Sequence, residues 1–444
     1  MVALDLSGDR PTGESVVALH STIKARASTP YFSYYPVGWI SETRCVFAVQ
    51  GTQTAGPNKG RRGVAVHVAD VATGKTSESW EVAFIPTKDG TTLSSPVRAG
   101  KAFLQVPGAI WEFVMADQTL RLVKGNLPLG DRHLGQFSPQ ISPDGKHYMY
   151  DRWEDGLAGI YLLDTATGEE RLLSGPGESA SFYPSWSPDG RLIAAYTAER
   201  KKSPAPGVEQ YPLNAFDVVY GEEGPLAAGA AITVFDLSGK VVQTVRVEGK
   251  WVTHFRWSPD SIHLGFVAGP VLRGEDILPD IEPDGLWLAK VGESPALLTA
   301  IGHSTPAERV YVGICAVDED NRGLVYTEFR EKSIATRRAR VGAGGDAQDE
   351  IPGELNGWQV QRVPGYPSAG IVYSEGTPSV WTLTPEKWTR ILASGTGHSL
   401  LLAGYNGDVL VVADSPLINW YAYKPGTSVG KTVVRVYRWV KTQG

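Results

Sequence analysis

Apolar and polar positions along this chain alternate in runs of about four to eight residues, each closed by a cluster of turn formers. The pattern is plainest over residues 137–191, where it occurs twice. The first copy reads Phe137-Ser-Pro-Gln-Ile-Ser-Pro-Asp-Gly-Lys146, then Tyr148-Met-Tyr150, Gly159-Ile-Tyr-Leu-Leu-Asp164 and Thr167-Gly-Glu-Glu-Arg-Leu-Leu173. The second restarts at Phe182-Tyr-Pro-Ser-Trp-Ser-Pro-Asp-Gly190 and Leu192-Ile-Ala-Ala-Tyr196, and a looser third follows at Val252-Thr-His-Phe-Arg-Trp-Ser-Pro-Asp-Ser261 and Ile262-His-Leu-Gly-Phe266. Tyr, Ile, Leu and Trp in short alternating runs suit strands. In Ser-Pro-Asp-Gly, proline fixes φ, aspartate bonds nearby N–H groups and glycine takes a positive φ, which sets a tight turn. Each copy is therefore expected to be a four-stranded antiparallel meander. One meander cannot bury both faces alone, so copies must stack around a ring, the all-β solution of a β-propeller.

The turns Trp186-Ser-Pro-Asp-Gly190 and Trp257-Ser-Pro-Asp-Ser261, with Asp164-Thr-Ala-Thr-Gly-Glu169, resemble the repeats of TolB-like propellers over roughly residues 131–300. Position 261 departs from the motif, with serine where it has glycine. The resemblance implies a propeller that acts by binding. Extending the pattern gives a lead-in over 1–30 and a single propeller domain over 31–444. Eight blades are the favoured count and seven the alternative, because the first and sixth are weak. The last blade is expected to use 399–404, 408–413, 420–423 and 432–440, and residues 15–20 are the candidate strand that closes the ring.

Strand direction alternates, so all Ser-Pro-Asp-Gly turns fall on one face. Three long insertions, 51–62, 198–229 and 268–283, all join second strands to third strands and crowd the other face. Loops of that length are usually functional or disordered. The longest holds Lys201-Lys202, four prolines and the aromatics Tyr211, Phe216 and Tyr220. Those three, with Tyr183 in the first strand of the second copy, are the ligand-binding candidates, read either as a partner-binding arm or as a loop packed on its own blade.

Two sets of residues are candidates for a divalent metal ion. His133, His254, His303 and His398 stand at or before first strands of blades, and Gly302-His-Ser304 matches Gly397-His-Ser399. Converging neutral imidazoles would ligate zinc, copper, nickel or iron. Oligogalacturonate lyases, whose repeats resemble these, use such a cluster on an acidic sugar, so the alternative reading is a metal-dependent polysaccharide lyase or hydrolase. Satisfied polar residues at blade junctions are the plainer reading. Asp280, Glu282 and Asp284 alternate before Gly285 like the first half of a calcium loop, but Val291 stands where its bidentate glutamate belongs. A solvated acidic loop is the default.

Other features narrow the function. A net charge of −6 leaves no electrostatic footprint for nucleic acid, and no apolar run is long enough to span a membrane. The first ten residues lack the apolar stretch of a leader, so an extracytoplasmic location is expected only for a chain whose leader has been removed. Cys45 and Cys315 are expected as buried free thiols in separate blades. Gly426-Thr-Ser-Val-Gly430 imitates a nucleophile elbow, yet no histidine follows His398 to serve it. The overlapping P-loop-like run leads into Val433-Val-Arg-Val-Tyr437, a strand pattern where a helix is required. Arg337-Arg-Ala-Arg340 alternates between strand faces and reads as solvated. The leading expectation is thus a non-enzymatic, monomeric TolB-like propeller that binds a protein, peptide or glycan at the funnel mouth and the insertion rim.

Overall fold

The three repeated turns are built alike, bond for bond. In the computed structural model, Ser142 Oγ donates to Asp144 Oδ1 (2.6 Å), which also accepts the Lys146 N–H (3.1 Å), while Ser142 Oγ accepts the His147 N–H (3.0 Å). Ser187, Asp189, Arg191 and Leu192 repeat these bonds at 2.7, 3.1 and 3.0 Å. Ser258, Asp260, Ile262 and His263 repeat them again. The residue after each aspartate is left-handed, with φ of 70° at Gly145, 73° at Gly190 and 68° at Ser261. Serine at 261 therefore keeps the motif's backbone at a cost of about 1 kcal/mol that glycine avoids. Its buried hydroxyl gives something back: Ser261 Oγ accepts the Asp189 N–H of the preceding turn at 3.0 Å. Burial opposes charge on Asp144, Asp189 and Asp260, but the serine hydroxyls and backbone N–H donors outweigh it and hold all three below the usual carboxylate range.

The structure describes residues 2–5, 16–18, 23–25, 34–39, 44–70, 77–87, 93–94, 101–106, 108–127, 140–154, 157–175, 179–199, 220–221, 224–225, 228–274, 277–302, 310–317, 321–330, 333–340, 349–350, 359–363, 366–374, 377–383, 388–393, 398–406, 409–416 and 433–440. Among them every regular element is a β-strand. The chain forms two compact units, one of residues 130–165 and 169–360, the other of 1–129, 166–168 and 361–444.

The 130–360 unit holds four successive antiparallel meanders. Their strands are Gln140–Ile141, His147–Glu154, Leu157–Asp164 and Glu170–Ser174; Ser179–Trp186, Leu192–Glu199, Ala231–Asp236 and Val241–Val245; Trp251–Trp257, His263–Gly269, Gly285–Lys290 and Ala296–Ala300; and Val310–Val317, Gly323–Arg330, Ser333–Arg340 and Asp349–Glu350. The two-residue period of a strand sends neighbours to different cores. Ile193 and Ala195 pack with Met149 and Ile160 of the meander before, while Ala194 and Tyr196 pack with Val252, Phe255 and Phe266 of the meander after. A third cluster joins Val267 and Leu286 to Val310, Leu324 and Tyr326. The second and third of these sheets are thus covered on one face by the copy before and on the other by the copy after, which is why their second strands are apolar at successive positions.

The other unit contains a ten-stranded sheet and two further meanders. In the large sheet Tyr34–Trp39, Arg44–Gln53, Arg62–Asp70 and Ser77–Pro86 form one meander, and His398–Asn406, Val409–Pro416 and Val433–Val440 form a three-stranded run. Val433–Val440 pairs directly with Val409–Pro416, so it takes the third place in that run where the sequence pattern put it fourth; residues 420–423, expected in third place, lie outside the described residues. Its far edge is taken by the chain's beginning. Val16–Ala18 pairs antiparallel to it through Val16↔Arg435 and Val17↔Val434, and Val2–Asp5 pairs in parallel through Val2↔Tyr437. Val16–Ala18 also pairs with Ser77–Pro86, which makes the sheet continuous. The remaining meanders are Leu93–Ser94, Lys101–Val106, Ala109–Val114 and Thr119–Lys124, and Gln359–Val363, Tyr366–Ser374, Thr377–Leu383 and Trp388–Ala393.

A bulge recurs between third and fourth strands and sets an aromatic residue at one register position. Trp111 stands opposite Leu122, Tyr161 opposite Leu172, Phe235 opposite Val241, and Trp287 opposite Leu297. The first meander breaks the series, with His67 opposite Glu81. His67 is fully buried, and neither of its ring nitrogens has a hydrogen-bond partner. Burial pushes its pKa down, against the pull of Glu81.

Candidate functional site

First strands of neighbouring meanders carry a second recurring bulge. In Ser179–Trp186 the register slips between Phe182 and Ser185, and in Trp251–Trp257 between Thr253 and Arg256. Tyr183 and His254 sit at equivalent places, each four residues before the serine of its turn and each with φ of 51°. Left-handed non-glycine residues cost roughly 1–3 kcal/mol apiece and persist only where neighbours hold them. Here the holder is Tyr196 from the second strand between them. Its ring meets Tyr183 edge-on at 6.3 Å and Phe255 edge-on at 4.8 Å, and its hydroxyl accepts the Phe255 N–H at 3.2 Å. Burial pushes the Tyr196 hydroxyl up to about 12, so it stays protonated across the physiological range. Burial, aided by the Arg256 cation, depresses His254 to about 4 and keeps its imidazole neutral. A neutral imidazole beside a tyrosine offers one donor and one acceptor to a polar ligand.

Two insertions join this neighbourhood. The 268–283 segment folds as a hairpin of Val271–Gly274 and Ile277–Ile281, in register Val271↔Ile281 and Leu272↔Asp280. The 198–229 segment contributes a small ladder of Tyr220–Gly221 with Gly224–Pro225, and Tyr220–Gly221 lies against Ile277–Ile281. The two arms therefore touch. Ala228–Gly229 then pairs antiparallel with the first strand of the fifth meander, Ala228↔Thr253 and Gly229↔Val252. The first insertion is shorter in reach: Gln53 N–H donates to Arg61 O at 2.9 Å and Gly60 N–H to Gln53 O at 2.8 Å, which closes it as a tight loop.

At the connection from Val241–Val245 to Trp251–Trp257 lies an open cavity of about 490 Å³ lined by Ala230, Arg246, Glu248, Lys250, Trp251 and Pro270 among others. Lys250 is fixed there. Its Nζ pairs with Asp284 at 2.7 Å and stands 5.5 Å over the Trp287 ring. Asp284 in turn donates its N–H to Ala268 O at 3.1 Å and accepts the Ile301 N–H at 2.9 Å, tying the hairpin's exit to the meander. The sequence pattern did not single out Arg246, Lys250 or Trp251. Their only local signal was a position between the two longest insertions, immediately before a first strand.

Of the four ligand-binding candidates, Tyr183 stands at its bulge and Tyr220 in the small ladder; Tyr211 and Phe216 lie outside the described residues. His254 is at the second bulge, His398 opens His398–Asn406 in the other unit, and His133 and His303 lie outside the described residues. Of the acidic trio, Asp280 lies in the hairpin, the Glu282 N–H donates to Pro270 O at 3.0 Å, and Asp284 is the partner of Lys250. Among the described residues no group of three or more His, Cys, Asp or Glu side chains is placed to hold a metal ion.

No family model matches the chain, and no curated protein matches it in sequence. Solved structures similar to it include an oligogalacturonate lyase in complex with manganese, at 13% identity and a TM-score of 0.47, over 77% of this chain and 86% of that one. The β-propeller domain of the Trilobed protease from Pyrococcus furiosus matches at 11% identity and a TM-score of 0.43, over 92% and 94%. A putative TolB from Agrobacterium tumefaciens matches at 17% identity and a TM-score of 0.33, over 61% and 83%. At these identities the likeness concerns the fold alone and is silent on activity.

Proposed function

We propose that the chain is a non-enzymatic, TolB-like propeller of eight blades that binds a protein, peptide or glycan on its insertion-bearing rim. Seven meanders and the closing run His398–Asn406, Val409–Pro416 and Val433–Val440, completed by the N-terminal strands, support the count. The observation that carries the binding role is the contact between the two arms, Tyr220–Gly221 against Ile277–Ile281; Ala230 and Pro270, which flank the arms in the chain, line a cavity with Arg246, Lys250 and Trp251. Long loops held in a fixed position by a rigid scaffold are where binding residues concentrate. Deleting residues 201–224 tests this. Partner capture from an extract of the source cells, read by mass spectrometry, should be lost while thermal unfolding stays within a few degrees of the parent. Unchanged capture contradicts the proposal.

The second reading, a metal-dependent polysaccharide lyase or hydrolase, draws on His254, whose neutral imidazole is competent as a ligand. Metal content of the natively purified chain separates the two. A stoichiometric transition metal that disappears in His303→Ala or His398→Ala favours the enzyme.

A further inference from the structure

The peptide of Phe255 is gripped from both ends at the His254 bulge. Its N–H is accepted by the Tyr196 hydroxyl at 3.2 Å, and its carbonyl accepts Arg256 Nη1 at 3.0 Å. The Arg256 side chain is otherwise exposed, so this tether fixes where a fork of further N–H donors stands. Other cations of this unit meet carboxylates: Arg191 pairs with Asp189 at 2.6 Å, Lys250 with Asp284 at 2.7 Å and Lys290 with Glu293 at 2.5 Å. Among the described residues Arg256 has no such partner. On the other side of Phe255, the His254 imidazole is partly exposed and has no hydrogen-bond partner among the described residues. The Arg256 charge helps to depress the pKa of that ring, which puts the two groups in one electrostatic neighbourhood and leaves the imidazole a neutral donor. An exposed arginine by itself needs no partner. What marks this one is the backbone held beside it, left-handed at His254 as at Tyr183 one meander back, because strain of this kind gathers at ligand clamps.

We propose that Arg256 and His254 form a binding site for one carboxylate, with Tyr196 as the residue that positions the bulge between them. The guanidinium fork takes the two carboxylate oxygens side by side, and the imidazole N–H supplies a third hydrogen bond. One uncompensated cation beside a neutral ring matches one negative charge, so a monoanion suits the place better than a phosphate dianion. The ligand is therefore a carboxylate, carried either by a small acid or by the free end of a peptide. The arms supply none of these groups, so the site goes beyond the rim reading and stands or falls without it.

N-acetylglycine is the probe, N-acetylglycinamide its uncharged counterpart and methyl phosphate the dianion, each titrated into the full chain and read by side-chain NMR of His254 and Arg256. N-acetylglycine should shift both side chains saturably, and the amide should bind about tenfold more weakly. Arg256→Gln should weaken binding of the acid about tenfold and leave the amide where it was. Arg256→Lys keeps the charge without the fork and should recover part of that loss. Equal response to acid and amide overturns the proposal, as does an acid titration that Arg256→Gln leaves unchanged. Methyl phosphate binding more tightly than N-acetylglycine overturns the assignment to a single carboxylate. Should Arg256→Gln fail to fold, the comparison of acid with amide on the parent chain carries the test alone. A tetrapeptide with a free C-terminus identifies the source: binding that its amidated form loses points to a chain end, and binding of N-acetylglycine alone points to a small acid.

Discussion

His67→Phe should stabilise the chain, and more so in acid. The register position that holds Trp111, Tyr161, Phe235 and Trp287 in other meanders holds a histidine here, fully buried, with neither ring nitrogen bonded. A buried polar group left unsatisfied costs about 1–3 kcal/mol, so an apolar ring of the slot's usual kind should recover about that much. Titration adds a second part. Burial depresses the folded pKa of His67, while the unfolded chain takes up its proton near 6.5. Between those values the unfolded state binds more protons, so stability present at neutral pH is lost as pH falls below 6.5 toward the folded pKa. That loss is small at about pH 7.5 and larger at about pH 5.5. Urea unfolding of parent and variant at both pH values measures it. The variant's advantage should widen on acidification. A variant less stable than the parent, or a gap that ignores pH, refutes the reasoning.

Three further outcomes follow from the turns and bulges. Ser261→Ala keeps the left-handed strain and orphans the Asp189 N–H, so it should cost about 1–3 kcal/mol, whereas Ser261→Gly should recover about 1 kcal/mol of that; alanine equal to or better than glycine in denaturant melts would refute the account. Asp144, Asp189 and Asp260 contribute stability above the unfolded carboxylate pKa that is lost as pH falls through their depressed folded values, so Asp189→Asn should make the acid-unfolding curve shallower, and an unchanged curve would count against it. Tyr196→Phe removes the acceptor of the Phe255 N–H and should cost about 1–3 kcal/mol, with a shifted His254 imidazole resonance in NMR reporting relaxation of the bulge; an unmoved resonance would separate Tyr196 from the site.

The turns were legible in the sequence because their chemistry is local: serine, aspartate and the left-handed residue lie within four positions of one another. The meanders were legible for the same reason, as period-two runs between such turns. What escaped was set by pairing across distance. The candidate closing strand at 15–20 contains Val16–Ala18, which pairs with Val433–Val440, but the parallel pairing of Val2–Asp5 with that same strand is something no local alternation could reveal. The hairpin Val271–Gly274 with Ile277–Ile281 carries Pro279 and three acids, and it read as a solvated loop. Ala228–Gly229 has no strand propensity and is a strand only because an edge waits for it. The oddity of His67 appears only once bulges align the third strands, since 64–70 by itself is an ordinary apolar run. Tyr183 and His254 were both picked from the sequence for different reasons, as an aromatic contact and a metal ligand; their shared backbone geometry is what relates them.

The measurement closest to the central claim is amide hydrogen exchange of the full chain with and without its captured partner. Protection should appear along Trp251–Trp257 and in the hairpin Val271–Gly274 and Ile277–Ile281, the strands that carry the cavity and the arms. Protection confined to the opposite face, at the turns Ser142–Lys146, Ser187–Arg191 and Ser258–Ile262, would contradict it.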